Sequence, residues 1–394
     1  MQTRRSVGLP LIAALVGAGL LGCDAETDEP LPLPVPPPAE PTCSLPTEDP
    51  VVVALEATDG VTQAIFSDGS LWCWGVDSAG GCGGGYVPFP IQLTWIDCAI
   101  SISTRSAGNG ITTANSAVYL WDLAPEFLLP DPYISKVAEL GTITQVRSYP
   151  GSFSTLDNKG VARQVGRVGI TWDNIKTFDD FEPIDLSSKI SRLGSGDVPC
   201  VVAEDGNAYC LKVNSDGAPI NQRLPDGINV TNDAAEPFVF KALDLPGTVL
   251  DITVGDAQAC ALLGSGAVYC AGEHVGPDPE NPDPTFQLIP NLPALQRIKM
   301  ALSGYTMCGL SGSEVWCWGA NSSELYQGEE MALEPPVLVE PFDDVIDFAV
   351  SNNNLCVLRA DHSVWCRGGG LGKGICGSDG GWDEVLFEYC DAYN

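Results

Sequence analysis

The chain is poor in the side chains on which most catalytic and nucleic-acid-binding sites depend. Its 394 residues include two histidines, His274 and His362, and only 19 lysines and arginines against 51 acidic residues. So few histidines leave little choice of general base near neutral pH. The formal net charge of −32 makes nucleic acid and anionic lipid headgroups poor partners. Charge of this sign and size favours solubility, with a basic partner or diffuse cation binding as alternatives.

Signatures of enzyme chemistry and metal binding are also missing. The sequence contains no Gly-x-Ser-x-Gly elbow, no His-Glu-x-x-His motif and no Walker loop. It contains no Cys-x-x-Cys pair for zinc, and the acidic loop GPDPENPDP (276–284) lacks an EF-hand pattern. We therefore predict no catalytic residue, no metal site and no cofactor, and we interpret 276–284 as a solvated loop.

The N-terminus has the pattern of an export signal. Arg4 and Arg5 precede an apolar run that ends in Leu-Leu-Gly-Cys at 20–23, which resembles the lipobox of bacterial lipoproteins. The resemblance implies a signal peptide over 1–22 and a lipid on Cys23; an ordinary signal peptide with Cys23 in a disulfide is the alternative. Residues 23–50 follow as an acidic linker whose LPLPVPPPAEP segment (31–41) favours extended polyproline II structure.

The rest of the chain, 51–394, is built on an internal repeat. An aromatic-Cys phrase recurs as LWCWG (71–75), AYC (208–210), VYCAG (268–272), VWCWG (315–319) and VWCRG (364–368). Seven upstream strands accompany it, VVVALEA (51–57), AISIS (99–103), TQVRS (144–148), KISRLGSG (189–196), LDITVG (250–255), IKMALSG (298–304) and IDFAVS (346–351). About four short strands per repeat at a period of about 45 residues predict an all-β, seven-bladed β-propeller.

The cysteine spacing predicts the hairpins. Fifteen cysteines in an exported chain imply disulfides, and an even number remains if Cys23 carries lipid. A spacing of ten predicts facing pairs across three-residue turns at Cys200/Cys210, Cys260/Cys270 and Cys356/Cys366, whereas Cys308/Cys317, spaced by nine, predicts a two-residue turn at Gly312-Ser313. The third turn residue is left-handed, which suits Gly206 and Gly266, and we place His362 there as a turn residue.

The first three repeats lack a complete cysteine pair. Their equivalent positions are Gln63/Cys73, Gly110/Leu120 and Phe153/Arg163, centred on Asp68, Asn115 and Asn158. Similar layouts in 80–98 and 373–390 suggest the pairs Cys82–Cys98 and Cys376–Cys390. Elimination then leaves Cys43–Cys73.

The phrase VWCWG, followed by GANSSELYQGEE (319–330), resembles the regulator-of-chromosome-condensation repeat family, whose usual phrase is V-x-x-W-G-x-N-x-x-G-Q-L-G. The resemblance spans 51–394 and implies a seven-bladed propeller, with Cys200, Cys260, Cys308 and Cys356 where the family often has histidine. The best-known member is a nuclear exchange factor for a small GTPase that docks on chromatin, and neither activity suits an acidic exported chain. Other exported members imply protein binding.

We therefore predict a monomeric bacterial lipoprotein at the cell envelope, facing the periplasm or the exterior, that binds a protein or glycan without catalysis. A carboxylate-based glycan hydrolase or lyase and a structural envelope protein are the alternatives. The irregular segment 211–236 is the predicted binding element. We expect Trp74 and Trp318 to pack between blades, and Trp72, Trp316 and Trp365 to be partly exposed.

Overall fold

The computed structural model confirms the predicted seven-bladed β-propeller. It describes residues 49–58, 61–77, 82, 85–96, 98–105, 108–114, 118–121, 135–136, 142–149, 152–168, 176–212, 239–255, 258–272, 285–301, 306–320, 333–351, 354–368 and 382–387. These residues form seven sheets and no helix. The predicted signal peptide, Cys23 and nearly all of the linker lie outside the described residues and stay predictions.

Each blade is built from four strands that follow one another along the chain and pair antiparallel. The first three blades contain β1 (Val52–Thr58), β2 (Val61–Phe66), β3 (Leu71–Asp77) and β4 (Gly85–Gln92); β5 (Ala99–Arg105), β6 (Gly108–Thr113), β7 (Val118–Trp121) and β8 (Ser135–Lys136); and β9 (Ile143–Tyr149), β10 (Ser152–Asp157), β11 (Ala162–Val168) and β12 (Lys176–Pro183).

Blade 4 contains β13 (Ile190–Leu193), β15 (Cys200–Ala203), β16 (Ala208–Lys212) and β17 (Val239–Ala242). Blades 5 to 7 contain β18 (Val249–Val254), β19 (Gln258–Leu263), β20 (Val268–Gly272) and β21 (Gln287–Leu288); β22 (Arg297–Met300), β23 (Thr306–Ser311), β24 (Glu314–Ala320) and β25 (Leu333–Leu338); and β26 (Val345–Val350), β27 (Asn354–Arg359), β28 (Val364–Gly368) and β29 (Asp383–Glu384).

All seven predicted upstream strands are present, and each is the inner strand of its blade, β1, β5, β9, β13, β18, β22 or β26. Neighbouring inner strands contact one another around a closed ring, β26 meeting β1. The fourth predicted strand is split. Its first part stays in blade 4 as β13, whereas β14 (Ser195–Gly196) pairs in parallel with Thr253 and Val254 of blade 5.

The hydrophobic core consists of layers between blades. Each of the seven junctions between neighbouring blades holds a separate cluster of buried apolar side chains. Trp74 and Trp318 are buried in two of these clusters, as predicted, and Trp72, Trp316 and Trp365 are half-buried. Because every layer needs side chains from two blades, no blade buries its apolar faces alone.

At five of the described hairpin turns a backbone hydrogen bond joins consecutive blades. The carbonyl of Gly69, at the third position of the first turn, accepts from the N–H of Ala99, which begins the next inner strand (2.9 Å). Gly160, Gly206, Gly266 and Ser313 make the equivalent bond to Ile190, Val249, Leu295 and Val345 at 2.8–3.0 Å. The hairpin turn of one blade therefore positions the inner strand of the next.

The hairpin turns have the predicted lengths and conformations. Gly69, Gly206 and Gly266 have φ of 81°, 85° and 84°, and His362 takes the same left-handed position at 67°. Ser311 pairs with Glu314, which leaves the predicted two-residue turn between them. The His362 ring uses Nδ1 to donate to the Val52 carbonyl of blade 1 (3.0 Å), so its role is to join the last blade to the first.

The predicted register of the third hairpin was wrong by one residue. Thr155 pairs with Arg163 and Ser154 with Gln164, which centres the turn on Lys159 instead of Asn158. Gly160 then occupies the left-handed third position, with φ of 81°. Gly160 decides the register because its carbonyl must reach Ile190.

The four hairpin disulfides form as predicted, Cys200–Cys210, Cys260–Cys270, Cys308–Cys317 and Cys356–Cys366, with Cα atoms 4.0–4.1 Å apart. Two other predicted pairs, Cys43–Cys73 and Cys82–Cys98, were wrong. Cys73 bonds Cys82, nine residues on. Cys98 bonds a cysteine outside the described residues, where Cys43, Cys376 and Cys390 also lie.

Blades 7 and 1 close the ring without exchanging a strand within the described part of the chain. Asp347 Oδ2 accepts from the N–H of Leu55 (3.1 Å), and Asn354 Nδ2 donates to Thr62 Oγ1 (3.1 Å). Phe387 packs edge-on against Phe66 and the buried Trp74, with ring centroids 4.9 and 5.6 Å apart. Within the described residues, contacts made by side chains therefore join blade 7 to blade 1, where a shared sheet joins the ends of other closed rings.

We predict that Gly266→Ala destabilises the propeller by about 2–4 kcal/mol. The substitution combines a left-handed backbone with overpacking, since the new Cβ would lie 2.7 Å from Ala294 Cβ. Gly312→Ala is the matched control, since nothing lies within 4 Å of its Cβ position, and should lose about 1 kcal/mol. Urea unfolding monitored by tryptophan fluorescence measures both. Equal losses would contradict the role of the inter-blade contact.

We also predict that Ser154→Cys combined with Gln164→Cys gives blade 3 the disulfide that it lacks. These residues pair five positions from the turn centre, as Cys260 and Cys270 do. Loop closure should stabilise the oxidised variant by about 2–3 kcal/mol over its reduced form. Mass spectrometry without reduction detects the bond. A variant whose two thiols stay free under oxidising conditions would contradict the assigned register.

Candidate functional site: the channel mouth and the central channel

Each inner strand contains a β-bulge at its second residue. Pairing with the neighbouring strand skips Val53, Ile100, Thr144, Ser191, Leu250 and Ile346, and in blade 6 both Gln296 and Arg297 face Leu310. All seven bulged residues are exposed. They lie at the start of the inner strands beside the hairpin turns, so they surround one mouth of the central channel. We call this side of the propeller the turn face.

The channel mouth is unusually apolar. Four bulged residues are large aliphatic side chains, and Val53, Ile100 and Leu250 are each 46% exposed while Ile346 is 41% exposed. Ile346, Val53 and Ile100 belong to consecutive blades 7, 1 and 2, and we call these three residues the apolar arc. The other large exposed aliphatic residues of the described chain are Ile91, Leu288 and Leu386, which belong to the outer strand or its continuation.

In blades 3 to 7 the side chain of the residue after the bulge contacts a neighbouring blade. Leu193 N–H donates to Gln145 Oε1 (3.0 Å), and Arg192 Nη2 lies 2.8 Å from Asp251 Oδ2. Arg297 pairs with Asp347, whose other oxygen accepts from Leu55. We call Gln145, Arg192, Asp251, Arg297 and Asp347 the polar ladder. It connects blade 3 to 4, 4 to 5, 6 to 7 and 7 to 1 just below the mouth.

Asp251 is one of the two buried carboxylates of the polar ladder. Burial raises the pKa of Asp251 above its ordinary value, although Arg192, Arg147 and the N–H of Ile252 favour the ionised form. Asp347 has more partners: its carboxylate accepts hydrogen bonds from the N–H groups of Leu55 and Phe348 and contacts both Arg297 and Lys299. Both carboxylates are therefore committed to structural contacts, which leaves the mouth without an unpaired ladder charge.

Towards the ends of the inner strands furthest from the mouth, the channel is narrow and lined mainly by hydroxyl groups. Every blade contributes to its wall, the hydroxyls coming from Thr58, Ser103, Thr104, Ser148, Ser195 and Thr253. Lys299 crosses the channel from blade 6 to blade 1, where Nζ donates to the Leu55 carbonyl (2.8 Å) and lies 3.3 Å from Glu56 Oε2. The cavity of about 40 Å³ takes a few waters.

The volume and the lining of this cavity can be compared with what the alternative prediction, a glycan hydrolase, requires. Small-molecule sites usually occupy about 300–1,000 Å³, far more than this cavity, and its one lining carboxylate, Glu56, is held by Lys299. Among the described residues no group of three or more His, Cys, Asp or Glu side chains is arranged to hold a metal ion. Within the described residues, this cavity therefore offers neither room for a sugar nor an unengaged pair of carboxylates.

The binding element predicted from the sequence, 211–236, lies almost entirely outside the described residues. The bulged mouth was missed, although the sequence carries its signal. The segments VVAL, AISI, ITQV, ISRL, VLDI, LQRI and VIDF place apolar residues at positions 1 and 4. A flat strand would place them at 1, 3 and 5, so this break in alternation indicates a bulge. No helix in the described part of the chain is long and apolar enough to cross a membrane.

The solved structures similar to this chain are β-propellers of the kind the sequence resembles. Human WBSCR16 matches with a TM-score of 0.61 and 16% identity over 79% of this chain and 88% of that one. Prp20p from Saccharomyces cerevisiae matches with a TM-score of 0.56 and 15% identity over 74% and 77%. Yeast RCC1 (Prp20), solved with Kap60, gives 0.58 and 16% over 76% and 78%. Such identities establish the fold alone.

Neither of the two sequence comparisons places the chain in a family. No family model matches it, and no curated protein matches its sequence.

We predict that Arg192→Met destabilises the propeller by about 2–3 kcal/mol at neutral pH, because it leaves buried Asp251 with one opposing charge fewer. Losing Arg192 also raises the pKa of Asp251 further. The folded state then binds a proton more readily than the unfolded state, so stability rises as the pH falls through that raised pKa towards 3.8. Urea unfolding across this pH range measures the effect.

Arg297→Met is the control for this experiment. Asp347 keeps Lys299 at 3.5 Å and the N–H of Leu55, so the loss of stability should be smaller. If the two variants lose the same free energy of unfolding at every pH, Asp251 does not depend on Arg192 more than Asp347 depends on Arg297. That result would contradict the prediction.

Proposed function

We propose that the protein is an exported, lipid-anchored propeller that binds another protein outside the cytoplasm. The observation that carries the proposal is the bulged mouth, where every blade presents an exposed side chain beside a channel too narrow for a substrate. Rigid scaffolds with variable projecting residues are typical of binding modules. Exposed apolar residues next to one another on such a scaffold are typical of interaction sites.

The similar solved structures support binding as the class of function. Prp20p is described by its binding to Gsp1p and histones, and Prp20 was also solved bound to Kap60. Those partners belong to those proteins. Their relevance here is that a propeller of this fold serves as a protein-binding surface, with loops and turns that are free to differ between chains.

The N-terminal sequence supports export and anchoring. A lipid on Cys23 and the proline-rich segment 31–41 would hold the propeller away from a membrane. The five described disulfides suit an oxidising compartment.

Photo-crosslinking in the native host tests binding directly. A benzophenone amino acid replaces Thr144 at the mouth, Asp205 at a turn or Leu288 on an outer strand, all of them exposed. We expect discrete adducts with a protein, lost when excess unlabelled propeller competes. If no position gives an adduct, protein binding fails, and glycan binding or a structural role in the envelope is favoured instead.

We predict that Cys23→Ser abolishes labelling by an alkyne fatty acid and moves the protein from the membrane to the soluble fraction. The thiol of Cys23 is the predicted attachment point, so a serine there leaves no thiol to carry the lipid. Cys43→Ser is the matched control and should keep both label and location. A Cys23→Ser protein that stays labelled in the membrane fraction would contradict lipid anchoring at this residue.

A further inference from the structure

We infer that the channel mouth docks a projecting apolar segment of a protein partner whose flanks carry lysine or arginine. The inference rests on the proposed function and names the chemistry of the partner. Two observations support it, the apolar arc on the turn face and the negative charge on the rim of the same face.

The residues of the apolar arc are exposed because each lies at a β-bulge. A bulged residue has no partner in the sheet, so its side chain can be changed without loss of a ladder hydrogen bond. Polar residues are tolerated at the same position, as Thr144, Ser191 and Gln296 show. The aliphatic side chains of Ile346, Val53 and Ile100 are therefore not needed to build the blade, and three of them side by side form a contact surface.

The rim of the turn face is acidic. Within the described hairpin turns and the connections between blades, seven carboxylates are exposed, Asp185, Glu204, Asp205, Asp244, Glu340, Asp343 and Asp361, against two lysines, Lys159 and Lys189. Hydrogen bonds from Tyr209 and from the N–H of Asn207 lower the pKa of Asp205. Hydrogen bonds from Ser363 lower the pKa of Asp361. Asp205 and Asp361 therefore stay charged further into the acid range than ordinary aspartates.

The centre of the mouth carries no net charge to oppose an apolar group. The guanidinium groups of Arg192 and Arg297 are paired with Asp251 and Asp347. An apolar centre within a charged rim is the usual organisation of a protein interface. The complementary surface has an apolar tip between basic flanks.

The same charges argue against other occupants. Nucleic acid and anionic lipid would face the acidic rim, as would the turn face of a second copy of this chain. The chain's own segment 31–41 contains a glutamate and no basic residue. The narrow channel stops a partner from threading through, so the tip rests on the mouth.

A random-sequence peptide library displayed on phage, selected against the full chain, tests the inference. We expect enriched peptides to combine aliphatic or aromatic residues with lysine or arginine. Val53→Asp and Ile346→Asp should each weaken a synthetic enriched peptide at least about tenfold, measured by fluorescence anisotropy. Leu288→Asp, which adds the same charge at an equally exposed outer-strand site, should change its affinity less than about twofold.

The sign of the added charge sharpens the test. A basic peptide held by charge alone would bind the aspartate variants more tightly, so a loss of affinity identifies apolar docking at the mouth. Added salt should weaken binding by the unchanged chain. Unchanged circular dichroism and thermal unfolding of each variant separate lost contact from lost fold.

Three outcomes would overturn the inference. The enriched peptides lack basic residues, they bind the mouth variants and the unchanged chain alike, or a synthetic peptide of residues 31–41 competes for the mouth. In each case a crosslink elsewhere on the propeller would leave protein binding intact. If no peptide is enriched and no crosslink forms, both the inference and the proposed function fail.

Discussion

One backbone hydrogen bond sets the arrangement of the blades. The carbonyl of the third turn residue in one blade accepts from the first N–H of the next inner strand, as between Gly266 and Leu295. This bond requires a left-handed turn residue and close approach of the incoming chain, which is why glycine recurs there and why a Cβ at Gly266 would meet Ala294. At the last junction the ring of His362 reaches Val52, so the circle closes through a side chain.

The bulge that follows this bond explains how an architectural repeat also makes a surface. Skipping one residue in the pairing leaves Val53 exposed, whereas Ala54 after it packs against the apolar cluster between blades 1 and 2. Repeated seven times, the same irregularity produces the apolar arc on the turn face and the polar ladder beneath it. In the polar ladder, Asp251 and Asp347 form salt bridges with arginines of neighbouring blades. The charges nearest the axis therefore hold the ring together, and recognition is left to the mouth and the acidic rim.

The disulfides reinforce a pattern that forms without them. The second and third hairpins pair in the same way as the hairpins with cysteines, although Gly110 faces Leu120 and Ser154 faces Gln164. Cys73 faces Gln63 across its hairpin and bonds Cys82 in the following connection instead. Cys73, which has no cysteine facing it across the hairpin, therefore bonds the next cysteine along the chain. The similar layouts of 80–98 and 373–390 did not predict this pairing.

The sequence by itself determined the number of blades, the inner strands, the four hairpin disulfides and the turn role of His362, because these follow from local spacing and residue conformation. The sequence-based prediction placed the third hairpin one residue too early and paired Cys73 with the wrong cysteine. Both features depend on which segment of the chain packs beside the turn. The channel mouth was decided only by the tertiary structure. Contacts between blades decide the exposure of Ile346, Val53 and Ile100. They also decide the pairing of Arg192 and Arg297 with carboxylates. Contacts between segments some 50 residues apart cannot be predicted from the spacing within one repeat.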